Sequence, residues 1–457
     1  MPGSIELRKM RVLVIGLART GVATALFCTK HNAVVTATDA RPESELGDVP
    51  AKLREAGVSL ELGGHVEKTY LAQDLIVASP GVPADDPLLM KARSKGITIW
   101  SEIELAYRFM EGELIGITGS NGKTTTTTLV HHILSSAGRN AILAGNVGTP
   151  LIACVEQMKA GTVSVVELSS FQLELTDKFR PNIAVFLNLT PDHLDRHKTV
   201  AAYSAAKSRV FAKQTELDAA VLNADDAPTV ALAPKKPQLF WFSRKKLVEQ
   251  GACLRGEDLV IVHHGKEEPV MKVADIPLPG SHNVENVLAA ATAARLAEVE
   301  VSAIAKAVKS FRAVEHRLEF VAEVNGVRYY NDSKATNVDA TFKALEAFLG
   351  RILIVLGGKD KGSDFTILRT PLRDKAILAL LIGAAAEKIE KQIAGSVALE
   401  RAGTLENAVA IASQAAKPGD IVLLAPACAS FDQFESYEHR GRVFKDLVRK
   451  LESQRQS

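Results

Sequence analysis

Gly116-Ile-Thr-Gly-Ser-Asn-Gly-Lys-Thr-Thr125 is the stretch that decides the fold. It follows the apolar run Glu-Leu-Ile-Gly-Ile-Thr (113–118) and opens a Thr-rich segment (124–134) of helical character. Strand, glycine-rich loop and helix in that order are what a phosphate cradle requires. Glycines let backbone N–H groups turn toward the anion, and the helix N-terminus adds its positive dipole end. The common nucleotide-binding loop carries a glycine five residues before its second one. Ile117 stands at that position, and Gly119 is displaced from it by two. A Gly-Lys-Thr at a strand–helix junction still reads as phosphate binding, with Lys123 on the outer phosphates and the Thr124 hydroxyl where Mg²⁺ is held.

Working outward, the first hundred residues alternate strand-like runs (10–16, 33–39, 75–81 and 97–102) with helical stretches. A second series begins at 113 and continues through 163–169, 183–189 and 219–225, then a hairpin-like passage at 259–273. A third runs through 316–324, 351–358, 377–383 and 420–427, with helical segments such as 404–416 between them. Apolar runs separated by helices indicate parallel sheets with crossover helices. The expected fold is α/β in three domains: an N-terminal Rossmann-like domain (1–102), a central P-loop domain (103–313) and a C-terminal Rossmann-like domain (314–457).

Composition narrows the function. Across 457 residues, 47% are hydrophobic and 24% charged, as in a soluble globular protein. A net charge of +2 gives no large basic field for nucleic acid or an anionic membrane. The four cysteines are scattered and lack CxxC spacing, which suits reduced, buried thiols. No secretory leader or membrane-length apolar run is read, so a cytoplasmic protein is expected, without membrane insertion.

Other motifs follow predicted strands. Gly16-Leu-Ala-Arg-Thr-Gly21 is a dinucleotide fingerprint with Ala18 in place of its middle glycine, and Asp39 stands eighteen residues past Gly21. It reads either as a nucleotide site or as a plain turn. Glu167 ends a strand and is either a magnesium ligand or a capped, ion-paired side chain. Asp192, His193, Asp195 and His197 cluster in one loop, as a metal site or as turn and surface pairs. Asn283 and Asn286 lie one helical turn apart, Arg317 in Glu-His-Arg-Leu-Glu looks buried, and Asp332, Ser333, Lys334 and Thr336 suit anion and magnesium chemistry. The stretches 357–365 and 426–434 likewise leave strand ends, where open α/β sheets collect ligands.

In their order, Gly-Ile-Thr-Gly-Ser-Asn-Gly-Lys-Thr-Thr, Val-Val-Glu-Leu-Ser-Ser-Phe-Gln-Leu-Glu, Asn-Leu-Thr-Pro-Asp-His-Leu-Asp-Arg-His, Tyr-Ser-Ala-Ala-Lys, Ser-His-Asn-Val-Glu-Asn, Glu-His-Arg-Leu-Glu, Asn-Asp-Ser-Lys-Ala-Thr-Asn and Pro-Ala-Cys-Ala-Ser-Phe-Asp-Gln-Phe resemble the Mur ligase family over essentially the whole chain. That family's loop has the form GxxGKT, so the displaced Gly119 is its pattern. The stretches 331–337 and 426–434 most resemble the D-glutamate-adding branch, and the Asp-Asn-Pro-Arg stretch usual in the meso-diaminopimelate-adding members is absent.

The resemblance implies an ATP-dependent ligase with Mg²⁺, acting as a monomer on UDP-N-acetylmuramoyl-L-alanine and D-glutamate through an acyl phosphate. By motif it puts Gly119, Ser120, Asn121, Gly122, Lys123, Thr124 and Thr125 on ATP, with Asn283, Asn286, Arg317 and Asp332. Thr124, Glu167, His193 and Lys207 would hold magnesium, Lys207 as the lysine that the family carbamylates. Thr20, Asp39, Arg41, Ser79 and Gly81 would bind the UDP part, and Asn146 would lie near the acyl substrate. Lys334, Thr336, Lys361, Ser430 and Phe431 would line the amino-acid pocket, with Lys359 as an alternative to Lys361. Competing readings are an L-alanine-adding Mur ligase, a P-loop switch without ligase activity and an NAD-binding module.

Overall fold

The computed structural model describes residues 5–312 and 314–453. The expected boundary at residue 313 therefore falls outside the described residues. Among the described residues, twenty strands form three sheets. The first contains β1 (Arg11–Ile15), β2 (Val34–Asp39), β3 (Ser59–Leu62), β4 (Leu75–Ala78) and β5 (Thr98–Ser101). Their order is β3-β2-β1-β4-β5, all parallel. Val12 and Val14 of β1 pack on one face while Leu13 and Ile15 pack on the other, as a doubly covered parallel strand requires. The order reverses at β1, so the turn after it lies at a switch point of the sheet.

The second sheet holds β6 (Glu113–Thr118), β7 (Ala141–Gly145), β8 (Val163–Glu167), β9 (Ile183–Phe186), β10 (Ala219–Asn223), β11 (Gln238–Ser243), β12 (Gly251–Arg255), β13 (Asp258–His263) and β14 (Lys266–Lys272). Its order is β14-β13-β12-β11-β10-β9-β6-β8-β7. From β7 to β12 neighbours are parallel, and β12 meets β13 antiparallel. Here the switch falls at β6, between β8 and β9. The registers Ile117↔Glu167 and Gly145↔Glu167 bring the loops after β6, β7 and β8 to one edge.

The third sheet is β15 (Glu319–Val324), β16 (Val327–Asn331), β17 (Ile352–Gly357), β18 (Ala376–Ile382), β19 (Leu399–Gly403) and β20 (Ile421–Leu424), ordered β15-β16-β20-β17-β18-β19. Only the β15–β16 pair is antiparallel. Ile352, Ile354 and Leu356 belong to one core layer and Leu353 and Val355 to the other, the two-residue period of a strand between helices.

The chain divides into two compact units, residues 1–271 with 288–307, and residues 272–287 with 308–457. Within the first unit the two sheets share a single apolar core running from Leu7 to Leu222. The segment joining them is tied by buried carboxylates. Glu104 is fully buried and accepts from Arg108 Nε (2.5 Å) and from the N–H groups of Asp177, Lys178 and Phe179.

Glu102, 1% exposed, accepts from Ile152 N at 2.6 Å, and its Oε2 is buried without a hydrogen-bond partner among the described residues. Burial pushes its carboxyl up to about 7, against donation from the Ile152 and Leu151 N–H groups. A raised native value means stability that is complete below the unfolded value and lost as pH rises through about 7. Between pH 4 and 8 the wild type should therefore lose up to about 3 kcal/mol relative to Glu102→Gln. Both tryptophans, Trp100 and Trp241, lie in the first unit, so their fluorescence in urea reports its unfolding alone. A stability difference that is the same at both pH values would refute this.

Candidate active site

Gly119 has φ +145, and a Cβ there would stand 2.9 Å from that of Leu187. Gly122, with φ +84, turns the chain into the helix Lys123–Ser136. These two glycines of Gly119-Ser-Asn-Gly122 are thus the ones the backbone demands. The residues between them are latched to the loop after β9. Ser120 N donates to Asn188 O and Asn121 N to Asn188 Oδ1, both 2.9 Å; Asn188 Nδ2 donates to Asn121 O at 3.1 Å. Ser120 Oγ accepts from Thr190 N and donates to Thr190 O, both 2.9 Å, and lies 3.2 Å from the Tyr203 hydroxyl. The Lys123 ammonium folds over the loop onto Gly119 O (2.9 Å) and Ser120 O (2.7 Å). Thr124 is 2% exposed and Thr125 also buried at the helix start.

Glu167, at the end of β8, is buried and accepts from Asn146 Nδ2 at 2.6 Å; Asn146 N donates back to Glu167 O at 2.9 Å. Lys207, on the helix Val200–Ser208, is 1% exposed and donates to Gly119 O at 2.8 Å. It is therefore an interior lysine and no surface side chain. Burial first, then the Lys123 charge, hold its ammonium well below the usual lysine range, while Asp192 and Glu167 oppose this. Two lysines and two carboxylates thus converge on the phosphate loop. His193 sits at φ 53 ahead of the helix Leu194–His197, its ring 4.9 Å from Phe171 and 6.4 Å from Tyr203. His197 is buried against Ser170 Oγ (2.9 Å) and Glu174, and so is bound in a structural network. Arg196 donates to Glu174 and to the carbonyls of Gly81 and Val82, strapping this loop to the first sheet.

At the switch point of the first sheet, a Cβ on Gly21 would lie 1.8 Å from Gly16 O, and Gly16 has φ +85 against Ser79. Ser79 Oγ donates to Gly16 O at 2.8 Å. Asp39 accepts from Leu17 N (2.7 Å) and from Arg41 N, Nε and Nη2. The Arg41 guanidinium, aided by the backbone donors against burial, holds the Asp39 carboxyl far below the usual range. Thr20, partly buried, and Gly81, exposed, flank the same turn.

The remaining residues lie in the second unit. Asn283 and Asn286 are buried, so they are not solvated helix positions; Asn283 Nδ2 donates to Pro279 O and Asn286 Nδ2 to Asn283 Oδ1. In Glu315–Glu319 the expected burial of Arg317 needs correcting. His316 is the side chain wholly inside, in contact with Asn331 Nδ2 and at φ 65, whereas Arg317 is half-buried. Arg317 lies in a strained turn (Leu318 φ 40), and its Nε is buried without a hydrogen-bond partner among the described residues. Asp332, 4% exposed, likewise has a buried Oδ1 without a partner; burial raises its carboxyl to about 6 although Arg317 draws it down. Lys334 lies over the Tyr437 ring and Thr336 is partly buried beside it. Ser430 is buried, Phe431 is 68% exposed, and Lys359 and Lys361 are both exposed. Lys359 pairs through its backbone with Ala429 (2.8 and 3.1 Å).

Motif reading did not find Asn188, Thr190, Tyr203 or Arg196. Their one signal was position just after a strand or inside a matched motif.

A parallel α/β architecture whose glycine loop presents a lysine and a threonine beside buried carboxylates defines a P-loop nucleotide-handling protein. Three family profiles cover consecutive stretches: "Mur ligase MurD-like, N-terminal domain" at 10–101, "Mur ligase middle domain" at 117–294 and "Mur ligase, glutamate ligase domain" at 316–428. The chain belongs to the Mur ligase family. A UDP-N-acetylmuramoylalanine--D-glutamate ligase of Koribacter versatilis is 52% identical over 451 residues, 98% of this chain and 99% of that one. The enzyme of that name from Acidobacterium capsulatum is 54% identical, with 97% of each chain covered. Among solved structures, the Thermotoga maritima MurF ligase in complex with ADP matches with a TM-score of 0.61 at 16% identity, covering 99% of this chain and 98% of that one. The UDP-N-acetylmuramate-alanine ligase MurC of the same organism gives 0.60 at 19%, over 96% and 99%. These structures share the fold. No helix among the described residues is long and apolar enough to cross a membrane.

Proposed function

We propose that this chain joins D-glutamate to UDP-N-acetylmuramoyl-L-alanine using ATP, as a cytoplasmic, monomeric enzyme of peptidoglycan precursor synthesis with domain boundaries near residues 102 and 313. The observation that carries the reading is the convergence of Lys123, Glu167 and Lys207 on a phosphate loop, in a chain more than half identical end to end to ligases of that name. The four cysteines are buried free thiols, which a reducing compartment suits.

In this reading the loop 119–125 cradles the ATP phosphates, and Lys123 leaves its carbonyl partners to meet them. Asn283, Asn286, Arg317 and Asp332 contact the nucleotide; the inward Nε of Arg317 and Oδ1 of Asp332 are buried polar atoms awaiting a partner. Thr20, Asp39, Arg41, Ser79 and Gly81 hold the UDP part, and Asn146, fixed by Glu167, meets the acyl substrate. Lys334, Thr336, Lys361, Ser430 and Phe431 receive the amino acid.

Mg²⁺ fits the donor set: Glu167 and Asp192 offer carboxylate oxygens facing Lys207, and Thr124 adds a hydroxyl. Thr124, Glu167, His193 and a modified Lys207 would hold it. When bound, the metal offsets charge on the migrating phosphoryl group. The substrate carboxylate takes the γ-phosphoryl group to give an acyl phosphate; the D-glutamate amine attacks its carbonyl, and phosphate leaves with the formation of the amide. The chain's residues position these reactants and exclude water.

The test is phosphate release from ATP with UDP-N-acetylmuramoyl-L-alanine and a panel of amino acids. Release should require both acceptor and D-glutamate. Release with neither would indicate a nucleotide switch, and release with UDP-N-acetylmuramate and L-alanine a different branch of the family.

A further inference from the structure

The second unit buries a guanidinium to which no carboxylate among the described residues is bonded. Arg440, on the helix Tyr437–Ser453, is 1% exposed and heads the fully buried side chains by volume. Its Nε donates to Ser333 Oγ (3.0 Å), Nη2 to Ser333 O (2.8 Å), and Nη1 and Nη2 both to Cys428 O (3.2 Å). Asp432 acts on it only through space, and burial draws its pKa down to about 10, so it stays charged at neutral pH. A Cβ on Gly358 would lie 3.2 Å from Nη1. Ser333, Cys428 and Gly358 follow β16, β20 and β17, three adjacent strands at the middle of the sheet. Ligands of open α/β sheets gather at such strand ends.

A lone buried cation is costly. Here its donors bind two loops at once, which a planar fork does and an ammonium does not. Both loops are otherwise under tension or closely fitted: Ala427, beside Cys428, is held at φ 60, and Ser333 Oγ also donates to Tyr437 O at 2.8 Å. Lys334 directly follows Ser333, and Ser430 lies two residues past Cys428.

We propose that Arg440 is a positioning residue for the amino-acid substrate. It fixes the loops 332–336 and 426–431 relative to each other, so that Lys334 and Ser430 meet one ligand together, and its unpaired charge favours a dicarboxylate. This rests on the functional reading above, which assigns those loops to D-glutamate.

Arg440→Lys keeps the charge and loses the fork. Its KM for D-glutamate should rise by about tenfold or more, with the KM values for ATP and the UDP substrate changed by less than about twofold. Unchanged KM values, or an equal rise in all three, would overturn the proposal. If the lysine variant does not fold, Ser333→Ala decides, since it removes the Nε contact and the Ser333 Oγ–Tyr437 O bond but keeps the Nη contacts to Ser333 O and Cys428 O. A rise of about threefold in the D-glutamate KM alone supports the clamp, and no rise refutes it. Should the wild type use another amino acid, the functional reading fails, and the clamp is judged on the KM for that amino acid.

Discussion

Lys123→Ala is expected to abolish ligation while leaving the protein folded. The ammonium folds onto Gly119 O and Ser120 O of its own loop, a surface-side latch rather than a core contact. Alanine also suits the first turn of the helix Lys123–Ser136. What is lost is a point charge on the phosphates, where charge develops in the transition state. By comparison with removal of a single preorganised donor, the loss is about 3 kcal/mol or more, over a hundredfold in kcat. Turnover is measured by phosphate release and folding by thermal melting. Near wild-type turnover would overturn the assignment of the loop.

Lys207→Ala should be nearly as damaging, for a different reason. A buried lysine whose proton affinity is depressed costs stability as an ammonium: the native state is favoured at high pH and loses ground as pH falls below the unfolded lysine value. Burial thus favours the neutral amine over the ammonium. That amine can attack CO₂, forming a C–N bond and releasing one N–H proton, to give a carbamate. The modification replaces a positive group beside Lys123 by a negative one with two oxygens, which Mg²⁺ prefers. The alanine variant should lose activity by about a hundredfold or more, as for loss of a metal ligand, with partial recovery in acetate. Absence of recovery in a folded variant would count against the carbamate. So would a crystal grown near neutral pH with Mg²⁺ in which Lys207 ends in a bare ammonium.

The sequence was most readable where burial on both faces writes a continuous apolar run. β1, β6, β8, β9, β17 and β20 are nearly all buried, and each stands out. Some strands that did not stand out lack that run, although β7 and β11 carry short apolar stretches and were not read either. β3 (Ser-Leu-Glu-Leu) is wholly or partly exposed, and the edge strand β19 (Leu-Glu-Arg-Ala-Gly) buries one residue of five. β12, Gly-Ala-Cys-Leu-Arg, begins at a glycine with φ +117 and has few β-branched residues. At the candidate site, Lys123, Thr124, Glu167 and Lys207 could be proposed from the sequence because such chemistry is written in short motifs. Asn188 and Tyr203 reach the loop from 67 and 83 residues away, and Arg440 reaches Ser333 across 107. Such partners are chosen by tertiary packing, which no local pattern encodes.

The unbroken core of the first unit has a consequence for modular inheritance. Trp100, Ile103, Leu105 and Met110 pack in one cluster with Leu114, Leu151, Ile152 and Val155, so the joint between the first two sheets is itself interior. A recombination event at residue 102 would graft a new first sheet onto a surface made for the old one, leaving mismatched apolar shapes on both sides. The first unit is therefore expected to exchange as a block, its two sheets changing together.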